Sequence, residues 1–452
     1  MTKAPRLIAL EILNRIEKEG GHADAYLGSY FTSRPELSYR EKAFVTELVY
    51  GVLRRRNSID WVLEHYSSHP QRRISRQIRN LLRLGIYQVL YLTHVPVPVS
   101  VSASVRLAKA LTNQKIGSMA NGLLRAVARN RETIPFPPIT EDPPRAIAVR
   151  YSHPVWLVDL WLHQLGPEET ITLCEANNTP PPFTIRTNTL KVTREKLIEA
   201  LKHEGVSGEA TRHSPEGIIL SHPADITRLA SFRKGWFFVQ DEAAQLISFL
   251  VSPKAGEQVL ELCAAPGGKT THLAQLMHNQ GLIIAVDWHL HKVVLLKENQ
   301  ARLGIGVIKP ILADVQNDLP LSKDDHFDKV LLDAPCSGLG ILRRHPEGKW
   351  TKSLELINRL RTTQLTMLHH ASRQVKRGGI LVYSTCTMTP EENGGVVEEF
   401  LAESQHQFEL EDPAHCLPFQ GVPPVDSHGY VQTFPHRNGM DGFFGVRLRR
   451  VA

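Results

Sequence analysis

Between Arg6 and Asn130 apolar residues recur at three- and four-residue steps, as in Leu7, Leu10, Ile12, Leu13 and Ile16, and again in Phe44, Leu48, Val49, Val52 and Leu53. That spacing predicts amphipathic helices, and hence an all-α domain over residues 1–135. The prolines at 135, 137, 138, 143 and 144 cannot continue a helix and mark a linker. From about 145 to 240 one helical stretch, Val155 to Leu165, mixes with strand-like pieces at 182–186, 217–220 and 236–239. This predicts a small α+β domain. Over 241–452 short apolar runs at 259–262, 282–286, 307–312, 329–332 and 379–383 alternate with helical segments. Alternation of that kind predicts an α/β domain with a doubly wound parallel sheet, and 443–448 reads as an added edge strand. No internal repeat or low-complexity tract interrupts the pattern.

At 452 residues the chain has room for several cores, and its 42% hydrophobic and 22% charged residues match an ordinary globular protein. No stretch approaches the ~18 apolar residues of a membrane span. The first apolar run is broken by Glu11 and followed by Asn14 and Arg15, so it reads as a helix of a cytoplasmic protein rather than a signal peptide. Five cysteines, at 174, 263, 336, 386 and 416, include no Cys-x-x-Cys pair. This argues against a disulfide framework and a zinc ribbon, and no metal is expected. Charge changes the picture more. Residues 1–135 hold 21 Lys/Arg against 10 Asp/Glu, a net +11, while the remainder holds 32 against 36, a net −4. Arg54, Arg55, Arg56, Arg72, Arg73, Arg76, Arg79, Arg83 and Arg125 contribute, and the helical steps from Arg72 to Arg83 predict a guanidinium stripe on one face. Such a field suits nucleic acid, the alternative being a solvated basic face without a partner.

Ligands of an open α/β sheet bind outside the carboxyl ends of its strands, so the loops after each run are the candidate site. The first is Cys263-Ala264-Ala265-Pro266-Gly267-Gly268-Lys269-Thr270, whose small residues and following helix start admit a ligand close to the backbone. Its Gly-Lys-Thr end resembles a phosphate-binding P-loop, but that motif needs glycine where Cys263 stands. Asp287 after the second strand can take the hydroxyls of a ribose, and Asp314 follows the third. Together they describe a cofactor carrying a nucleoside, although each aspartate alone could merely cap a helix. The fourth and fifth loops, Asp333-Ala334-Pro335-Cys336-Ser337-Gly338 and Ser384-Thr385-Cys386-Thr387, each bring a cysteine to the same edge. Cys174, Cys263 and Cys416 read as ordinary small apolar residues where thiol chemistry is concerned.

Residues 263–270 and 332–338, together with Arg343-Arg344-His345-Pro346, Lys349-Trp350, Ser384-Thr385-Cys386, Pro390-Glu391-Glu392-Asn393 and Asp441-Gly442-Phe443-Phe444, resemble the RNA cytosine-C5 methyltransferases of the Sun/Fmu family. Residues 47–54 and 121–125 resemble the RNA-binding fold of the antitermination factor NusB. The resemblance implies a Rossmann-like methyltransferase domain using S-adenosyl-L-methionine, preceded by a NusB-like domain, with a cytidine of 16S ribosomal RNA as substrate and no obligate protein partner. It also implies Cys386 as nucleophile, Cys336 as the residue that helps release product, and Asp333 and Lys269 as further catalytic groups. The loop from Cys263 to Lys269, with Asp287, Asp314 and Asp333, would hold the cofactor. Position alone could have reversed the two cysteines. Glu261 stands where the family commonly has Asp, Trp288-His289 follow Asp287, and Glu347-Gly348 replace an Asp-Ile pair. Two other readings stay open: the same chemistry on transfer RNA or large-subunit RNA, and a non-catalytic RNA-binding or antitermination factor.

Overall fold

The computed structural model describes residues 5–67, 74–221, 225–317, 319–321 and 326–452. It divides into two compact units, Met1–Pro180 with Leu342–Thr351, and Pro181–Ile341 with Lys352–Ala452.

The first unit is helical: α1 (Pro5–Glu19), α2 (Ala23–Thr32), α3 (Tyr39–Arg54), α4 (Arg56–Tyr66), α5 (Arg76–Leu90), α6 (Val97–Leu111), α7 (Gln114–Arg129), α8 (Pro143–Arg150), α9 (Val155–Leu165) and α10 (Pro167–Asn177). Side-chain caps begin several of them. Ser38 and Glu41 form a reciprocal capping box on α3, and Ser75 and Asn113 accept backbone N–H groups of α5 and α7. Ile8, Ile12, Leu48, Ile59, Leu82, Ile86 and Leu124 are fully buried in one core. Helices α3 and α5 approach so closely that a Cβ at Gly51 would stand 1.9 Å from the Tyr87 ring.

The expected arginine stripe turns largely inward. Arg72 and Arg73 lie outside the described residues. Arg83 grips Asp60 with two hydrogen bonds of 2.6 Å and reaches Glu17 at 3.3 Å, while Arg79 meets Glu17 at 2.9 Å. Arg56 lies 3.6 Å from the same glutamate, and only Arg76 of the α5 arginines is exposed. Helical spacing identified one face of α5, but the carboxylates that cover it come from α1 and α4. Arg83→Ala would remove the two-bond partner of Asp60 while Arg79 and Arg56 still hold Glu17, so we expect a loss of about 2 kcal/mol. Denaturant unfolding checks this, and an unchanged midpoint would contradict it.

The segment Leu342–Thr351 is fastened into this unit. Fully buried Lys349 donates to the carbonyls of Arg54 (3.3 Å) and Ser152 (3.1 Å) and to Asn178 Oδ1 (2.8 Å), using all three ammonium protons. Arg54 donates to the Arg343 carbonyl at 3.1 Å, and the Trp350 indole donates to that of Leu53 at 3.1 Å.

In the second unit, β1 (Phe183–Thr187), β2 (Ser207–Ala210), β3 (Gly217–Ser221) and β4 (Phe237–Val239) form an antiparallel sheet in the order β2-β3-β1-β4, with α11 (Arg194–His203) contributing Leu197 and Leu201 to its core. The second sheet contains β5 (Gln258–Leu262), β6 (Leu282–Asp287), β7 (Ile308–Leu312), β8 (Phe327–Asp333), β9 (Val375–Thr385), β10 (Phe408–Leu410), β11 (Val431–Gln432) and β12 (Phe444–Arg450). Its order is β10-β12-β9-β8-β5-β6-β7, with β5 to β9 parallel and β11 paired to β12. This is a Rossmann-like sheet with an antiparallel strand, β12, beside β9. β6, β8 and β9 carry the short continuous apolar runs expected where both faces are covered, while edge strand β7 is partly exposed. The expected edge strand proves internal: β12 lies antiparallel to β9, and β10 pairs along its other side. Among the described residues no helix is long and apolar enough to cross a membrane.

Candidate active site

Parallel pairing sets the carboxyl ends of β5, β6, β8 and β9 side by side, and four of the expected loops begin there. After β5, Cys263 adopts a left-handed φ of 61°, an uncommon conformation for a residue with a side chain, and turns the chain toward α12 (Gly268–Leu276). Gly267 requires glycine twice over: its φ is +98°, and a Cβ would stand 2.7 Å from Leu296. Arg186 of β1 supports the start of α12, donating to the Gly268 carbonyl at 2.6 Å and to Thr271 Oγ1 at 2.9 Å. Burial pushes the pKa of this guanidinium down to about 10.

Asp287 binds the loop and the next helix together. One carboxylate oxygen accepts from Ala265 N at 3.1 Å and the other from His289 N at 3.0 Å. Asp314 follows β7 and orders its own turn by accepting from Gln316 N at 2.9 Å and from the Asn317 side chain at 3.1 Å. The peptide before it is tied to Asp287 by the 3.1 Å bond from Ala313 N to the Asp287 carbonyl. Glu261 is fully buried with an unpartnered Oε2, and burial raises its pKa to about 8. It therefore holds a proton at neutral pH. Burial likewise raises the Cys263 thiol far above the ordinary range, keeping it uncharged.

The loops after β8 and β9 meet. Cys336 Sγ and Cys386 Sγ lie 3.3 Å apart, both half-buried, and Cys386 N donates to Cys336 Sγ at 3.3 Å. Beside them Lys269 Nζ lies 2.6 Å from Asp333 Oδ2, and Ser384 Oγ donates to Asp333 Oδ1 at 2.9 Å. Burial disfavours the Lys269 ammonium, but the charge and hydrogen bond of Asp333 outweigh it and raise its pKa above that of a free lysine. Its field also reaches Cys386. The two sulfurs are not equivalent. The hydrogen bond to Cys386, followed by burial, raises Cys336 well above an ordinary thiol. Cys336 thus keeps its proton at neutral pH.

A clamp absent from the sequence reading holds this pair. Glu392, fully buried, accepts from Ser337 N at 2.7 Å, from Gln364 Nε2 at 3.1 Å and from Thr389 Oγ1 at 2.8 Å, and also from the Ser337 hydroxyl. Asn393 receives the Thr385 hydroxyl at 2.6 Å and donates to the Thr387 carbonyl at 3.1 Å. Pro390-Glu391-Glu392-Asn393 is one of the stretches that carry the family resemblance. Its signal was the unexplained acidic pair beside the fifth loop. Glu392→Ala should free the Cys336 loop and slow methylation on the order of 100-fold, the scale of a misplacement of about 1 Å. Glu392→Gln should recover part of that loss in single-turnover assays, and a full rate in the alanine variant would contradict the clamp.

Comparison with known proteins gives three family matches. Residues 248–449 match the 16S rRNA methyltransferase RsmB/F family, residues 3–129 the NusB family, and residues 153–227 the ferredoxin-like domain of RsmF/B-like methyltransferases. "Probable ribosomal RNA small subunit methyltransferase B" of Bacillus subtilis is 36% identical over 98% of both chains. Among solved structures, a methyltransferase homolog from Pyrococcus horikoshii has a TM-score of 0.60 and 28% identity over 69% of this chain and 99% of its own. NSun6 from the same organism, solved with SFG, has a TM-score of 0.59 and 25% identity over 66% of this chain and 98% of its own.

Proposed function

Because this chain belongs to the RsmB/F family of rRNA methyltransferases, which use S-adenosylmethionine, we propose that it methylates C5 of a cytidine in 16S ribosomal RNA, in the cytoplasm, through a covalent bond between Cys386 and C6. The observation that carries this reading is the 3.3 Å approach of Cys336 and Cys386 beside the Lys269–Asp333 pair. The cofactor fits the residues at the strand ends. Its ribose diol, ammonium and sulfonium suit Asp287, Asp314 and Asp333, the unpartnered Glu261 oxygen and the small-residue loop Cys263-Ala264-Ala265-Pro266-Gly267-Gly268. When bound, it supplies an electrophilic methyl group.

Cytosine C5 is too weak a nucleophile to take that methyl unaided. Addition of the Cys386 thiolate to C6 turns the ring into an enamine with electron density at C5. The Lys269–Asp333 pair, held by Ser384, faces the base, and the Lys269 ammonium can pass a proton through the Asp333 carboxylate to the ring nitrogen as negative charge builds. After C5 is methylated its proton passes to solvent water as the C6–S electron pair returns to Cys386, and the Cys336 thiol, 3.3 Å away, assists by hydrogen-bonding that departing sulfur. The target base must leave any stack to reach these side chains.

Incubating the protein with labelled S-adenosylmethionine and with 16S, 23S and transfer RNA, then mapping the labelled nucleoside, tests the assignment. The expected product is 5-methylcytidine in 16S RNA alone. A different nucleoside, or label confined to another RNA, would overturn it.

A further inference from the structure

The inward turn of the α5 arginines leaves open which cations of the front unit meet RNA. Helices α6 and α7 supply an answer. Between them runs an open groove of about 630 Å³, within the ligand-sized range of about 300–1,000 Å³. Val97, Val101 and Val105, spaced four residues apart on α6, are buried or half-buried and form an apolar floor with Ala128 of α7. Exposed Arg106, Lys109, Arg125 and Arg129 stand around it, and no carboxylate joins the lining. None of the four forms an ion pair among the described residues; Arg106 makes only a 3.3 Å bond to Ser102 within its own helix. The stem of Lys109 is held in place over Gly117, where a Cβ would stand 2.3 Å from Lys109 Cγ.

We infer that this α6–α7 groove binds a single-stranded segment of the substrate RNA, with bases on the valine floor and phosphates on the four cations. A protein partner would have to bring several carboxylates to balance the rim. A single strand brings one negative charge with every nucleotide and, with each charge, a flat apolar base. A duplex meets the rim equally well but keeps its bases stacked inside, away from the valines. The Asn121 side chain in the wall, both donor and acceptor, can read a base edge. The inference rests on RNA being the substrate. It separates that contact from the catalytic loops and transfers it from the α5 arginines to α6 and α7.

The test uses the full chain, a fluorescent 12-nucleotide oligouridylate and a 12-base-pair RNA duplex, with anisotropy measured over a range of KCl concentrations. Arg125→Glu/Arg129→Glu should weaken oligouridylate binding on the order of tenfold or more and flatten its log–log salt dependence by about 1.4, or ~0.7 for each lost single-strand phosphate contact. Duplex binding should change far less. Lys196→Glu/Lys202→Glu, a matched charge change on exposed positions of α11, should leave both unchanged. Arg106→Gln/Lys109→Gln, which avoids charge reversal, should move oligouridylate binding in the same direction. Unchanged affinity and slope in both groove variants would overturn the inference, as would equal losses for duplex and single strand, or loss of a protein contact with RNA binding intact. Should the parent chain form 5-methylcytidine while the groove variants bind normally, the groove alone fails. Should it form none, the proposed chemistry fails whatever the anisotropy gives.

Discussion

A Cys386→Ala protein should bind S-adenosylmethionine and RNA as the parent does and transfer no methyl group, with a rate lower by on the order of 10⁴ or more, as when other covalent nucleophiles are removed. The size of the effect follows from the chemistry. Without a thiolate at C6 the ring keeps its aromatic electron distribution, and no neighbouring side chain substitutes for the missing bond. Cys336 cannot readily take over, because its burial and the nearby Glu392 charge still disfavour its thiolate once Cys386 is gone. The substitution removes one half-buried atom and leaves Lys269, Asp333 and the Glu392 clamp in place. Folding and cofactor binding should therefore be little changed. Calorimetric titration with S-adenosylmethionine, paired with transfer of labelled methyl groups, separates the two effects. Methylation near the parent rate would remove Cys386 from the role of nucleophile.

The second large effect is a gain. Cys336→Ala should accumulate a covalent protein–RNA species, seen as a slow band on a denaturing gel and approaching one RNA per protein. In this variant Cys386 still adds to C6 and the methyl group still arrives. The adduct then holds a methyl and a hydrogen at C5, and elimination stalls until that proton leaves. With Sγ of Cys336 normally 3.3 Å from the sulfur that must depart, its loss affects release more than addition. Adding Cys386→Ala in the same chain should abolish the band. No adduct in the single variant, or an adduct that survives in the double variant, would contradict this division of labour.

The parallel sheet and its loops were legible because strands buried on both faces carry short apolar runs, at 282–286 in β6, 330–332 in β8 and 380–383 in β9, with β5 broken by buried Glu261. Once those runs were located, Lys269, Asp333, Cys336 and Cys386 fell at neighbouring strand ends by topology alone. β2 was not legible. Its Ser-Gly-Glu-Ala sequence is exposed along most of its length, so its pairing to β3 rests on backbone hydrogen bonds rather than on an apolar pattern. The direction of Arg83 was hidden for a different reason. Periodicity reports which residues share a helix face, whereas Asp60 and Glu17, which decide what that face meets, lie 23 and 66 residues away. The Glu392 clamp and the support from Arg186 share this character, since each joins loops or sheets far apart in the chain.

The most direct test of the two-sulfur chemistry replaces the departing C5 proton with an atom that no base can remove. Small-subunit RNA containing 5-fluorocytidine, incubated with the protein and S-adenosylmethionine, should be trapped at the methylated adduct. After nuclease and protease digestion, mass spectrometry should find the modified nucleotide on the peptide that carries Cys386. Attachment to the Cys336 peptide, or methyl transfer to unsubstituted RNA with no trapped peptide in the fluorinated sample, would contradict the account.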